Sequence, residues 1–203
     1  MLFLPSPNNP TGNRFSDDRV EALVRAHPDA LVVLDEAYGP FAGAGYDALR
    51  LAHPHVAQLQ TLSKVGFAAL RCGWAILPPA LAAEVNKVRQ PYNLDAVAQE
   101  LAREVLTTES AWIDETAAAV RSERTRLVNA LRTGANLRVT PSAANFVWLR
   151  VPDAARTHAA LLARGVLVRS FHAQGGRMAQ QLRITVGTPA ENDALLSALP
   201  FCL

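Results

Sequence analysis

One lysine stands out in this chain of 203 residues. Lys64 lies in the run Thr61-Leu62-Ser63-Lys64-Val65-Gly66-Phe67-Ala68-Ala69-Leu70-Arg71, with hydroxyls at Thr61 and Ser63 and a guanidinium seven residues on. An ammonium in apolar surroundings without a partner is costly. Either Lys64 points to solvent, or desolvation and a nearby cation keep its amine neutral. A neutral amine is a nucleophile toward carbonyls and forms a Schiff base with them. Arg71 and the two hydroxyls would then hold an anion such as a phosphate, which suits the planar fork of an arginine.

Two stretches nearer the start carry further chemistry. Ala30-Leu31-Val32-Val33-Leu34 is an unbroken apolar run of strand length, the pattern of a parallel strand buried on both faces. It ends in Asp35-Glu36-Ala37-Tyr38, and the C-terminal ends of such strands are where α/β sheets place their ligand chemistry. Before it, Pro5-Ser6-Pro7-Asn8-Asn9-Pro10-Thr11-Gly12 packs three prolines and a glycine into eight residues. That predicts a rigid loop whose asparagines present hydrogen-bonding groups from a fixed backbone.

The elements that must position these groups follow from the same pattern. A helix is predicted over 16–25, with Ser16 as N-cap and Asp17 and Asp18 in its first turn. Strands are predicted at 58–62 and 74–77, then helices at 80–89, 96–106 and 111–131, the last with a charged, solvated face. Strands at 137–140, 146–151, 166–170 and 182–186 and helices over 155–163 and from Ala190 complete the pattern. The break at 90–93 reads as a boundary between 1–92, an α/β domain, and 93–203, an α+β domain.

Composition narrows the class. Half the residues are hydrophobic and the formal net charge is +2, with no basic run of the kind nucleic acid requires. No apolar run approaches the roughly 18 residues of a membrane span, and the N-terminus carries no signal-peptide pattern. Cys72 and Cys202 match no metal-ligand spacing. A cytoplasmic protein without metal is expected.

Taken together, Ser6-Pro7-Asn8-Asn9-Pro10-Thr11-Gly12, Asp35-Glu36-Ala37-Tyr38 and Ser63-Lys64 with Arg71 resemble the fold-type I pyridoxal-phosphate aminotransferases. Gly165-Val166-Leu167-Val168-Arg169 and Leu182-Arg183-Ile184-Thr185-Val186-Gly187-Thr188 are similar to the histidinol-phosphate aminotransferases in particular, and the stretch with Ser142, Asn145 and Phe146 fits them too. The resemblance runs from about Leu2 to the C-terminus. It implies a mainly parallel sheet in part of a large cofactor-binding domain, followed by a small α+β domain. It also implies pyridoxal 5'-phosphate held covalently by Lys64, with Asp35 at the pyridine nitrogen, Tyr38 and Asn9 at the phenolic oxygen, and Ser63, Arg71 and more weakly Thr61 at the phosphate. Arg183, helped by Arg169, would take the anionic end of a small amino donor, with a 2-oxo acid as acceptor.

Relatives of this kind carry a long segment before the Asn-Pro-Thr-Gly loop, so the chain reads as the C-terminal part of an enzyme that is a homodimer in full-length form. Expected activity is transfer of an amino group between L-histidinol phosphate and 2-oxoglutarate. A threonine-phosphate decarboxylase, an aromatic-amino-acid aminotransferase or a catalytically dead fragment are the alternatives.

Overall fold

Short apolar runs separated by amphipathic helices build a sheet first. The computed structural model describes residues 1–133 and 137–203. Its strands β1 (Leu2–Pro5), β2 (Val32–Asp35) and β3 (Val56–Thr61) lie parallel in that order, and β4 (Gly73–Ile76) closes the edge antiparallel to β3. Between them run α1 (Asp17–Ala26) and α2 (Asp47–Ala52); the sequence pattern did not single out α2, which has no buried residue. After β4 come α3 (Pro79–Val88), α4 (Ala96–Thr107) and α5 (Ser110–Thr133).

Burial explains the arrangement. Val32, Val33 and Leu34 of β2 are all buried, as an interior strand with parallel neighbours on both sides requires. Val20 and Val24, one turn apart on α1, pack with Val32, Leu34, Tyr46 and Val56 into one cluster. Ser16 takes the extended backbone of an N-cap, yet its hydroxyl makes no capping bond; Asp17 and Asp18 occupy the electropositive first turn as expected.

Two compact units divide the chain: Met1–Pro7 with Arg14–Ala117, and Asn8–Asn13 with Ala118–Leu203. The break at 90–93 therefore does not mark where the units part. The reason is packing. Ala98, Ala102 and Val105 of α4 are buried, and Trp112 at the start of α5 stacks against the loop that carries Lys64. That keeps both helices with the first unit as far as Ala117.

The second unit is an antiparallel sheet with helices. Its strands are β5 (Arg138–Thr140), β6 (Phe146–Arg150), β7 (Arg169–Ser170) and β8 (Gln181–Thr185), in the order β5-β6-β8-β7. α6 (Ala154–Leu162) and α7 (Pro189–Ala198) cover it, and Leu127 and Leu131 of α5 join Val147, Leu149, Leu161, Leu182 and Leu195 in its core. β7 is shorter than the five residues predicted. Only Arg169 and Ser170 pair with β8, and the chain before them leaves a cavity of about 360 Å³ lined by Val166, Leu167, Thr185 and Leu195. The proline-rich loop Asn8–Asn13 belongs to this unit because the Ala143 amide donates to the Gly12 carbonyl at 2.7 Å.

Candidate functional site

Alternation at the end of β2 sends Asp35, its last residue, and Glu36, the next, to different surroundings. Asp35 is half-buried, and its Oδ1 accepts the Ala37 N–H at 3.0 Å. Glu36 is 2 % exposed and accepts the Tyr46 N–H at 3.0 Å and the Gln58 amide at 2.6 Å. Gln58 is itself fixed by the Arg50 Nε at 2.5 Å. Burial pushes the Glu36 carboxyl above its ordinary value, against the two hydrogen bonds that hold it down. Asp35 is thus the carboxylate available to a ligand, and Glu36 is part of the scaffold.

The lysine loop is built by backbone bonds that return to Leu62 and Cys72. Leu62 is buried, its N–H donates to the Cys72 carbonyl at 3.1 Å, and its own carbonyl accepts from Val65 and Phe67, each at 3.2 Å. The Thr61 hydroxyl accepts the Ser63 N–H at 3.0 Å and donates to the Cys72 carbonyl at 2.9 Å. Its bonds are thus internal to the loop, where it holds Ser63. Gly66 (φ +104°) and Arg71 (φ +53°) turn the chain through left-handed conformations.

Lys64 does not sit in the desolvated pocket that its apolar neighbours in sequence imply. It is exposed, because buried Leu62 and Val65 point into the core while Lys64 points out. Its Nζ stands 5.4 Å from the centre of the Tyr38 ring, so Lys64 and Tyr38 are brought together. Arg71 is exposed as well, with Nη1 donating to the Ala68 carbonyl at 3.3 Å.

The second unit gathers the remaining candidates. Arg183 of β8 donates to the Asn9 side-chain carbonyl at 2.7 Å and lies over the Phe146 ring at 5.0 Å. Its Nε is buried without a partner among the described residues. Arg169 of β7 is the direct cross-strand partner of Arg183, so the two guanidinium-bearing chains leave the sheet on one face. Like charges so placed repel unless an anion joins them. Asn9 is held by its loop, in which the Gly12 N–H donates to the Asn8 carbonyl at 2.7 Å and the Asn8 amide to Thr11 at 2.6 Å. Gly12 (φ +77°) packs so closely that a Cβ there would lie 2.5 Å from Ser142 Oγ.

Sequence reasoning passed over Trp112 and the Glu36–Gln58–Arg50 chain. The alternation of adjacent carboxylates at a strand end was the available signal for Glu36; nothing local marks Trp112, whose partners lie more than forty residues away. Among the described residues no helix is long and apolar enough to cross a membrane.

Residues 1–199 match the family model described as aminotransferase class I and II. The chain is 44% identical over 202 residues to a histidinol-phosphate aminotransferase of Methylibium petroleiphilum, covering 98% of this chain and 54% of that protein. The chain thus spans about half the length of the curated relatives it matches. Among solved structures it is similar to a decarboxylase of Sulfurospirillum multivorans (TM-score 0.89, 25% identity, 99% of this chain and 61% of that one). It is also similar to a histidinol-phosphate aminotransferase of Sinorhizobium meliloti in complex with pyridoxal-5'-phosphate (TM-score 0.80, 27% identity, 98% and 56%).

Proposed function

The chain belongs to the class I and II aminotransferases, and from that premise we propose that it forms part of a pyridoxal-phosphate-dependent histidinol-phosphate transaminase, exchanging an amino group between L-histidinol phosphate and 2-oxoglutarate. The observation that carries the substrate assignment is the Arg169–Arg183 pair. Two opposed arginines on one sheet face, one with an unpartnered buried N–H, match a phosphate dianion better than a single carboxylate.

The donor set fits the cofactor. A half-buried carboxylate, a reachable primary amine and a hydroxyl with a guanidinium on one loop are the groups that a pyridine nitrogen, an aldehyde and a phosphate ester call for. When bound, pyridoxal phosphate supplies an electron sink that makes a neighbouring C–H acidic. Asp35 would keep a proton on the ring nitrogen through its carboxylate. Tyr38 and Asn9 would hydrogen-bond the phenolic oxygen. Ser63 and Arg71 would bind the phosphate, with Thr61 holding the Ser63 backbone in place. Lys64 Nζ would hold the aldehyde end and, once the incoming amino group had displaced it, would take and return the proton at the substrate α-carbon as general base and acid. Arg183, steadied by Asn9, and Arg169 orient the donor by its phosphate. The same reading takes the full-length form as a cytoplasmic homodimer acting on small molecules, with no nucleic-acid or membrane partner; the near-balanced charge of +2 supports it.

The test is turnover. This chain, substituted for the matching portion of a full-length relative, is given 2-oxoglutarate with L-histidinol phosphate, L-threonine phosphate or an aromatic amino acid. A clear preference for histidinol phosphate is expected. Release of carbon dioxide from threonine phosphate, or equal use of a phosphate-free aromatic donor, would overturn the assignment. The 203-residue chain alone is expected to bind the cofactor weakly and turn over little.

A further inference from the structure

We propose that Trp112 is a positioning residue for Lys64, acting through Gly66; the proposal rests on the reading of Lys64 as the carbonyl-reactive amine. Gly66 adopts φ +104°, which side-chain-bearing residues rarely reach, and a Cβ there would press closely against the Trp112 indole. A Cβ there would lie 3.3 Å from Cη2 and 3.7 Å from Cζ3 of that ring. The same indole meets Phe67 edge-to-face, with centroids 5.6 Å apart and planes at 70°.

The placement matters because of how the turn is anchored. On its strand side the loop is fixed by Leu62, by the Thr61 hydroxyl and by the Cys72 carbonyl. Beyond Lys64 the backbone amides of Val65 and Phe67 share one acceptor, the Leu62 carbonyl, so the turn's backbone bonds there stay within the loop, while the buried Val65 side chain points into the core. Trp112 supplies the outer wall from a distant helix. The indole is 44 % exposed in this chain. Lys64 reaches its place over Tyr38 from a backbone two residues before the contact. Releasing the outer wall lets that backbone shift, and displacement by about 1 Å can lower the rate at a reacting group by about a hundredfold.

The test uses this chain substituted for the matching portion of a full-length relative, as above, with pyridoxal 5'-phosphate and borohydride and peptide mapping of the pyridoxyl group. Lys87, the only other lysine of this chain, is exposed on α3 beside Glu84 at 2.6 Å and serves as internal reference. In the parent chain Lys64 is expected to be labelled in preference to Lys87. Trp112→Ala should lower the Lys64-to-Lys87 ratio by roughly tenfold or more, with Lys87 labelling and the circular dichroism spectrum unchanged, and Trp112→Phe should recover most of the loss. A ratio within about twofold of the parent in Trp112→Ala would overturn the proposal, as would an equal fall in Trp112→Phe. Should Trp112→Ala not fold, Trp112→Leu, which keeps bulk but no ring, replaces it in the same comparison. Absence of any preference for Lys64 in the parent chain would instead overturn the reading of the lysine itself, a result separable from an unchanged ratio in the variant.

Discussion

Asp35 and Glu36 are neighbours in sequence and opposites in role. Asp35→Asn should leave the melting temperature nearly unchanged while sharply reducing activity in a full-length context, because its side chain makes one local hydrogen bond and is otherwise open to a ligand. Glu36→Ala should instead lower stability by about 2–4 kcal/mol, since it strands the Tyr46 amide and the Gln58 side chain in the interior. Equal effects on melting temperature would refute the division of labour. Glu36 also predicts a pH dependence. Its folded carboxyl is raised above the ordinary 4.5, so between that value and its folded pKa the native state binds more protons than the unfolded one. Stability from this group is therefore full at low pH and is lost as pH rises through the window. Thermal melts at pH 4.5 and 7.5 should show Glu36→Gln gaining on the parent chain as pH rises; a constant difference would rule the titration out. Arg183→Lys gives up the planar fork that meets Asn9, and binding of a phosphate-bearing donor should weaken by about 1.5–3 kcal/mol, read as a rise in KM.

Elements show where sequence patterns suffice and where they do not. Interior strands announce themselves: Val32, Val33 and Leu34 form a run with no polar face, and β2 is buried on both sides. Charged ends and proline starts set α1 and α7 within a residue or two, and at α7 the Thr188–Glu191 capping box is present on both arms. Thr188→Ala should cost about 1 kcal/mol by denaturant unfolding. Leu149→Ala, in the middle of β6 and fully buried, should cost about 2–5 kcal/mol. The length of β7 and the unit boundary were not legible. β7 stops where the chain opens a cavity against α7, and α4 stays with the first unit through Ala98, Ala102 and Val105. Both outcomes depend on partners remote in sequence. The same holds at the candidate site. The residue types of Asp35, Tyr38, Ser63, Lys64 and Arg71 are visible in the motifs, but the exposure of Lys64 follows from Leu62 and Val65 turning inward.

At the scale of the whole molecule, the second unit is discontinuous: Asn8–Asn13 joins Ala118–Leu203 across more than a hundred intervening residues. Its fastening point is Gly12. Gly12→Ala would combine a strained φ of +77° with a Cβ 2.5 Å from Ser142 Oγ, and should destabilise by about 1–3 kcal/mol. Faster hydrogen exchange at the Ala143 amide is expected with it, since that amide is bonded to the Gly12 carbonyl; unaltered exchange would count against the fastening. The Asn9–Arg183 bond, closed over 174 residues, also has a history in time. A ribosome adding about 5–20 residues each second releases Arg183 on the order of ten to thirty seconds after Asn9. During that interval β1 to β4 can pair with one another, since all four emerge before Arg183. Asn9 meets its arginine only after that interval, so the Asn9–Arg183 bond closes later than the pairing of the first sheet's strands can begin.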